Sequence, residues 1–275
     1  MSKANDKIIA TLFDNIEKDG LMPWQTPYIG GGLPHNHITG RVYSGRNLVV
    51  LMSMRFNQSG FMTFKQAQDA GGSVRKGSSG IPVIYATPGL LVESENVSDA
   101  PKRVGGGMRL YYVFNVSSID NMPESVPVIG DNIGVESFIE NLPVTWNYGK
   151  RPSYSLTKDT VNMPRAGDFE VMDEYYSTVF HELIHWTGES SRLNRFLTGD
   201  HNDEKYCYEE LVAEIGSAFL RCKFGIENKV SDEQNAAYVK GWLSLIGDDK
   251  EMILKAATEA QKAMDYLLTF SNEKE

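Results

Sequence analysis

Apolar positions near the start of the chain recur at helical spacing. Ile8, Ile9, Leu12, Phe13 and Ile16 share one face, with acids and lysines between them, and Gly20 closes the run. This pattern predicts an amphipathic helix docked on a core. Periodicity then disappears over "LMPWQTPYIGGGLPHNHITGRVYSGRN", where glycine, proline, asparagine and aromatics predict a long ordered loop. "NLVVLMSMRF" is apolar almost throughout, so its pattern fits a helix or a buried strand equally. "TFKQAQDAG" predicts a short helix capped by Thr63 and ended by Gly71. β-Branched and aromatic residues in "IPVIYATPGLLVES" and "MRLYYVFNVSSID" predict strands, with "ENVSDAPKRVGGG" as a hairpin tip between them.

The second half has a different texture. "MPESVPVIGDN" has linker composition, and a short helical stretch over 134–142 follows it. "VTWNYGKRPSYSLTKDTVNMP" predicts strands and turns. "YYSTVFHELIHWTGESSRLNR" predicts a helix running into a loop from about 188 to 203. "EKYCYEELVAEIGSAFLRCKFG" predicts a long helix, and two more helices complete the chain. At 275 residues the chain exceeds the usual single-domain size. The expectation is therefore an α+β protein of two domains, residues 1–125 and 134–275, joined by a linker at 126–133.

Composition changes this picture in three places. With 41% hydrophobic and 23% charged residues, the chain has ordinary globular material. No apolar run approaches the ~18 residues that cross a bilayer, and acids interrupt the N-terminus, unlike a signal peptide. Cys207 and Cys222 make no disulfide framework and no CxxC, so a reducing cytoplasm is the expected location. The net charge of −9 is unevenly placed: residues 1–130 carry 12 basic and 10 acidic side chains, residues 131–275 carry 15 and 26. The first half thus keeps a small positive balance that the overall acidity hides.

Chemistry concentrates first in His181-Glu-Leu-Ile-His185. A helix places i and i+4 on one face, so the two imidazoles can address one ion while Glu182 stands beside it as general base. The pentapeptide alone arises by chance in roughly a few per cent of chains of this length. Val179, Phe180, Leu183, Ile184 and Trp186 surround the histidines, however, and burying two histidines without a shared partner is costly. Glu210 and Glu214 follow on the next predicted helix. Glutamate-zincins take their third ligand from such a helix, and on that resemblance Glu210 binds metal while Glu214 orients a histidine. A one-turn change of register would make Glu214 the ligand, and a solvated acidic face would make neither one. "PSYSLTKDTVNMP" fits an edge strand over a zincin cleft, and His201, Tyr206 and Tyr208 are candidate oxyanion donors.

A second constellation lies in the first domain. Trp24, Tyr28, His35, Asn36, His37, Tyr43, Arg46 and Asn47 gather in one glycine-rich stretch, with Arg75 and Lys76 in "GGSVRKGSSG". Aromatics interleaved with cations and amides suit stacking on unpaired bases beside phosphate contacts, and a loop packed on the core suits the same composition. From this set Trp24, Asn36, Tyr43, Arg46, Asn47 and Lys76 are the candidate DNA contacts. His35 and His37 lack a third ligand and predict no metal site.

Taken together, these blocks resemble the ArdC-type antirestriction proteins of plasmids and phages, related to the N-terminal region of TraC primases. The resemblance runs through "PWQTPY", "TGRVYSGRN", "FMTFKQAQDAGGSVRKGSSG", "YYVFNV", "DTVNMP", "YYSTVFHELIHWTGESSRLNR" and "YEELVAEIGSAF". It implies an N-terminal domain for single-stranded DNA and a zincin-like metallopeptidase domain holding zinc, with manganese as the other divalent candidate. It also implies protection of incoming DNA from restriction, with a peptide or protein substrate such as a host defence protein. The alternative is a DNA-binding protector whose metal site is only structural. Phe61 stands where such proteins usually carry tryptophan, and the 33–39 stretch holds two unusual histidines.

Overall fold

The computed structural model describes residues 3–25, 32–87, 90–92, 102–104, 107–122, 134–195, 204–227 and 232–272. Tyr28, His201 and the expected linker at 126–133 lie outside these residues.

Helix α1 (Lys3–Asp19) forms where the apolar stripe predicts it and buries Ile8, Ile9, Leu12 and Ile16. A 3-10 turn at Pro23–Gln25 and a two-residue strand β1 (His35–Asn36) interrupt the stretch expected to be loop. The ambiguous apolar run is helix α2 (Gly45–Ser53), buried almost all round. Strand β2 (Gly60–Thr63) leads directly into α3 (Phe64–Asp69). Thr63 caps that helix in a reciprocal box with Gln66, and Gly71 beyond it takes φ +83°, as the sequence pattern demands. Strands β3 (Ser73–Val74), β4 (Ile81–Thr87), β5 (Leu90–Val92), β6 (Lys102–Val104), β7 (Gly107–Asn115) and β8 (Ile119–Asp120) follow. One sheet has the order β1-β2-β7-β4, in which β4 and β7 form a long antiparallel ribbon.

The second half begins with α4 (Val135–Asn141), β9 (Thr145–Tyr148), β10 (Ser153–Ser155) and β11 (Thr160–Met163). These strands make a mixed sheet ordered β10-β11-β9, which leaves β10 at an edge. Among the described residues four α-helices follow: α5 (Met172–Thr187), α6 (Glu204–Phe224), α7 (Asp232–Ile246) and α8 (Met252–Thr269).

The α+β expectation holds, and the packing adds a feature the sequence did not show. A single hydrophobic cluster runs from Ile8 and Leu48 through Phe180 and Leu211 to Leu267. The bridge is α8, whose buried face is rich in alanine (Ala256, Ala257, Ala260, Ala263). Small side chains let α8 lie close against α2, so that a Cβ at Gly45 would touch the Ala257 carbonyl at 3.6 Å, and Gly45 donates its N–H to the Gln261 side-chain carbonyl at 2.9 Å. Trp24 completes the seam from the other side. Its ring is 1% exposed, meets Trp242 edge-on at 5.3 Å, and donates to the Tyr238 hydroxyl at 2.9 Å.

Candidate metal centre

Helix α5 carries Asp173 and Glu174 in its first turn, where they complement the helix dipole. Apolar residues bury the rest of it, so its two histidines face an interior cleft. His181 and His185 stand one turn apart, with ring centroids 4.8 Å apart and planes at 78°. Helix α6 packs across α5 at Gly216, where a Cβ would meet Ile184 Cδ1 at 2.7 Å. That close approach brings Glu210 beneath the two imidazoles.

The three side chains converge on one point. His185 Nε2 lies 3.1 Å from His181 Nε2 and 3.4 Å from Glu210 Oε1, and His181 Nε2 lies 3.5 Å from Glu210 Oε2. Donors about 2.0–2.2 Å from a tetrahedral ion stand roughly 3.3–3.6 Å from one another. The chemistry and spacing of this donor set therefore fit a divalent cation, and no other group of three candidate ligands gathers this way among the described residues. Of the two acids weighed on α6, Glu210 is the one whose carboxylate reaches both rings.

The surroundings are equally ordered. Glu182 is 7% exposed; burial raises its carboxyl pKa, against the pull of both histidines and a hydrogen bond from the Tyr154 backbone N–H of edge strand β10. Tyr206, in the first turn of α6, hydrogen-bonds Glu210, and burial together with that carboxylate pushes its hydroxyl up to about 12. Tyr208 instead packs against the core, and its hydroxyl is raised by burial and by Glu259. Burial opposes a charge on His185, yet bonds to Glu209 and Glu210 outweigh it and lift its pKa to about 10. Burial likewise opposes the Glu210 charge, and the histidine bonds hold that carboxyl below its ordinary range. Two imidazoles ringed by carboxylates thus create a local demand for positive charge.

Sequence reasoning misplaced the residue that orients a histidine. Glu214 hydrogen-bonds Tyr238 instead, on the seam with Trp24. The orienting acid is Glu209, 4% exposed, whose Oε1 lies 3.3 Å from His185 Nδ1. Arg195 holds Glu209 with a two-pronged fork, Nε to Oε2 at 2.9 Å and Nη2 to Oε1 at 2.8 Å. Its remaining donors reach the Thr187 hydroxyl at 2.9 Å and the Ile184 carbonyl at 2.7 Å, both on α5. Only the acidic doublet Glu209-Glu210 and an arginine shortly after the HExxH helix signalled this in sequence.

Residues 134–259 match the zincin-like metallopeptidase family, and residues 2–114 match the N-terminal domain of anti-restriction factor ArdC. The metal-free crystal structure of antirestriction protein ArdC from plasmid R388 superposes with a TM-score of 0.74 at 33% identity, covering 99% of this chain and 98% of that one. The chain belongs to the ArdC antirestriction family. The Mn(II)-bound structure of the R388 protein matches with a TM-score of 0.73 at 32% identity, so the family's zincin-like unit implies a divalent metal here. A DNA primase TraC of Escherichia coli is 33% identical over 93% of this chain, which spans only 19% of that protein's length. No helix among the described residues is long and apolar enough to cross a membrane.

In the ArdC N-terminal unit, most of the expected DNA contacts face inward, which corrects the sequence reading. Trp24 is enclosed in the core and offers no face to a base. Asn47 is spent on the edge of β4: its amide donates to the Ile84 carbonyl at 2.7 Å and accepts the Ile84 N–H at 2.8 Å, completing the strand as a neighbouring backbone would. Asn36 anchors its own turn through Ile38, Thr39 and Gln66. Tyr43 packs edge-on against buried Phe61 at 6.4 Å, and half-buried Arg46 donates to Asn5 at 3.3 Å. Lys76 alone of the six is exposed. The exposed aromatics lie elsewhere, on the β4–β7 ribbon: Tyr85 and Tyr111 on one face, and Tyr112 on the other. Arg109 is exposed and lies directly across from Tyr85 in the ladder.

Proposed function

We propose that this chain is a divalent-metal-dependent peptidase whose N-terminal unit holds single-stranded DNA, and that it protects incoming plasmid or phage DNA from restriction in the cytoplasm. The observation that carries the peptidase reading is the convergence of His181, His185 and Glu210 beside a buried Glu182. In this reading those three residues hold zinc or manganese, which supplies Lewis acidity to a water and to the scissile carbonyl. Glu182 accepts the proton of the attacking water and delivers it to the leaving amine; its raised pKa suits a group that must both take and return a proton. Tyr206 gives up its hydrogen bond to Glu210 and donates its one hydroxyl proton towards the oxygen that gains negative charge. An extended peptide adds as a further strand to the edge of β10, whose Tyr154 N–H aims Glu182.

The Glu182→Gln variant tests this. It should keep its metal and fold, measured by elemental analysis and thermal melting, while peptide cleavage falls by about 10²–10⁴-fold, the usual weight of a general base. Cleavage at the wild-type rate would remove Glu182 from the reaction. Antirestriction that survives the change would separate protection from proteolysis.

The DNA reading rests on the ribbon. Tyr85 and Tyr111 meet edge-on at 6.4 Å and stand about half exposed beside Arg109, a stacking platform next to a phosphate partner. Tyr111→Ala and Arg109→Ala should each weaken binding of an oligothymidylate at least fivefold, and Arg109→Ala should also flatten the salt dependence. Binding untouched by both changes would exclude the ribbon.

A further inference from the structure

Two arginines three residues apart follow α5, and they hold different things. Arg195 braces Glu209 behind the metal ligands. Arg192 reaches instead to the hairpin that carries the cleft edge. Its side chain is 8% exposed, and its guanidinium carbon lies 4.1 Å from the centre of the Trp186 ring. Trp186 is itself anchored on Tyr266 at 6.2 Å and Phe270 at 6.4 Å, so the cation rests on a fixed platform. Arg192 Nε donates to the Trp186 carbonyl at 2.6 Å. Both terminal nitrogens grip Asp159, Nη1 to Oδ2 at 3.0 Å and Nη2 to Oδ1 at 2.5 Å. Nη2 also donates to the Tyr154 hydroxyl at 3.1 Å, which donates in turn to Asp159 Oδ1 at 2.8 Å.

The hairpin needs this grip. Strand β10 has three residues and pairs only with β11 among the described residues, and so short a ladder at an edge opens readily. Asp159 ends the turn between the two strands with φ +46°, a conformation glycine adopts more cheaply. What the aspartate adds there is a carboxylate, and its bond to Arg192 holds that group below the ordinary carboxyl range. Burial and the bond to Asp159 raise the Tyr154 hydroxyl, which therefore stays a donor. An isolated exposed ion pair is worth little. A two-pronged pair seated on an aromatic ring and shared with a tyrosine fixes geometry.

Tyr154 is the link to the chemistry. Its side chain sits in the Arg192–Asp159 grip while its backbone N–H donates to Glu182. Resting on the peptidase reading, we propose that Arg192 is a positioning residue: it fixes β10 over the cleft and thereby holds Glu182 in line with the attacking water. Proton transfer depends on that alignment, and a misplacement of about 1 Å costs about 10²-fold in rate.

Arg192→Met removes the fork and keeps much of the packing of the stem. In folded, metal-loaded protein, kcat for peptide cleavage should fall at least tenfold, a larger change than any in KM. The Tyr154 amide should also exchange its hydrogen at least tenfold faster, read by NMR. A merely structural role would lower the folded fraction and leave kcat per folded, metal-loaded molecule at the wild-type value. Should Arg192→Met fail to fold, Asp159→Gly serves, since glycine suits the backbone there and only the carboxylate is lost; the same two changes are expected. Unchanged kcat, with or without a rise in KM, would overturn the proposal, and so would unchanged exchange. Amide exchange needs no substrate. If the wild type cleaves no peptide, the peptidase reading fails by itself, and exchange alone decides whether Arg192 holds β10 onto Glu182.

Discussion

A carboxylate at 4% exposure survives in a core only when its charge is answered, and Glu209 is answered by both Arg195 and His185. Its position behind Nδ1 fixes the ring so that Nε2 faces the centre of the site. Glu209→Gln should therefore lower metal affinity by about 10–100-fold, the usual effect of losing such a partner. Competition against a chelating dye would measure it, and an unchanged affinity would reduce Glu209 to a packing role. Trp24 supplies the complementary case. Trp24→Ala should cost about 3–5 kcal/mol of folding stability by denaturant titration, with oligothymidylate binding intact at temperatures where the variant is folded. A selective loss of DNA binding at unchanged stability would restore Trp24 as a DNA contact.

At the level of elements, the α5–α6 crossing decides whether there is a site at all. Gly216 lets the helices approach at Ile184, the residue immediately before His185. Gly216→Ala should destabilise the fold by about 1–3 kcal/mol through overpacking, even though alanine is the better helix former by about 1 kcal/mol, and should weaken metal binding as Glu210 is pushed from the histidines. A variant more stable than wild type with unaltered metal affinity would refute the close-contact argument. The same crossing explains what was legible in sequence. His181 and His185 are paired by helix geometry alone, and Ile8, Leu12 and Ile16 announce α1 by local period. Choosing among Glu209, Glu210 and Glu214 needs the rotation of α6 about its axis, which its contact with α5 sets. Trp24 was misassigned for a related reason: Tyr238, its partner, is 214 positions away, and a glycine-rich neighbourhood says nothing about it. Tyr85 and Tyr111 were visible only as strand residues. Their exposure follows from β4 lying at an edge and from burial on that face fading along the ribbon, from the Ile81–Val113 pair, through Val83 opposite Tyr111, to Tyr85 opposite Arg109.

Across the whole molecule, two family units share one core. The alanine face of α8 rests on α2, and Trp24 is locked between Trp242 and Tyr238 of α7, so neither unit can lose its structure without exposing apolar surface of the other. Calorimetry should accordingly record a single cooperative transition, with equal calorimetric and van't Hoff enthalpies; two resolved transitions would mean the units fold separately. The shared seam also bears on inheritance. A recombination breakpoint between the units would strand α8 from α2 and leave two fragments with raw apolar faces. The E. coli primase relative, matched across 93% of this chain within a much longer protein, carries the two units as one block.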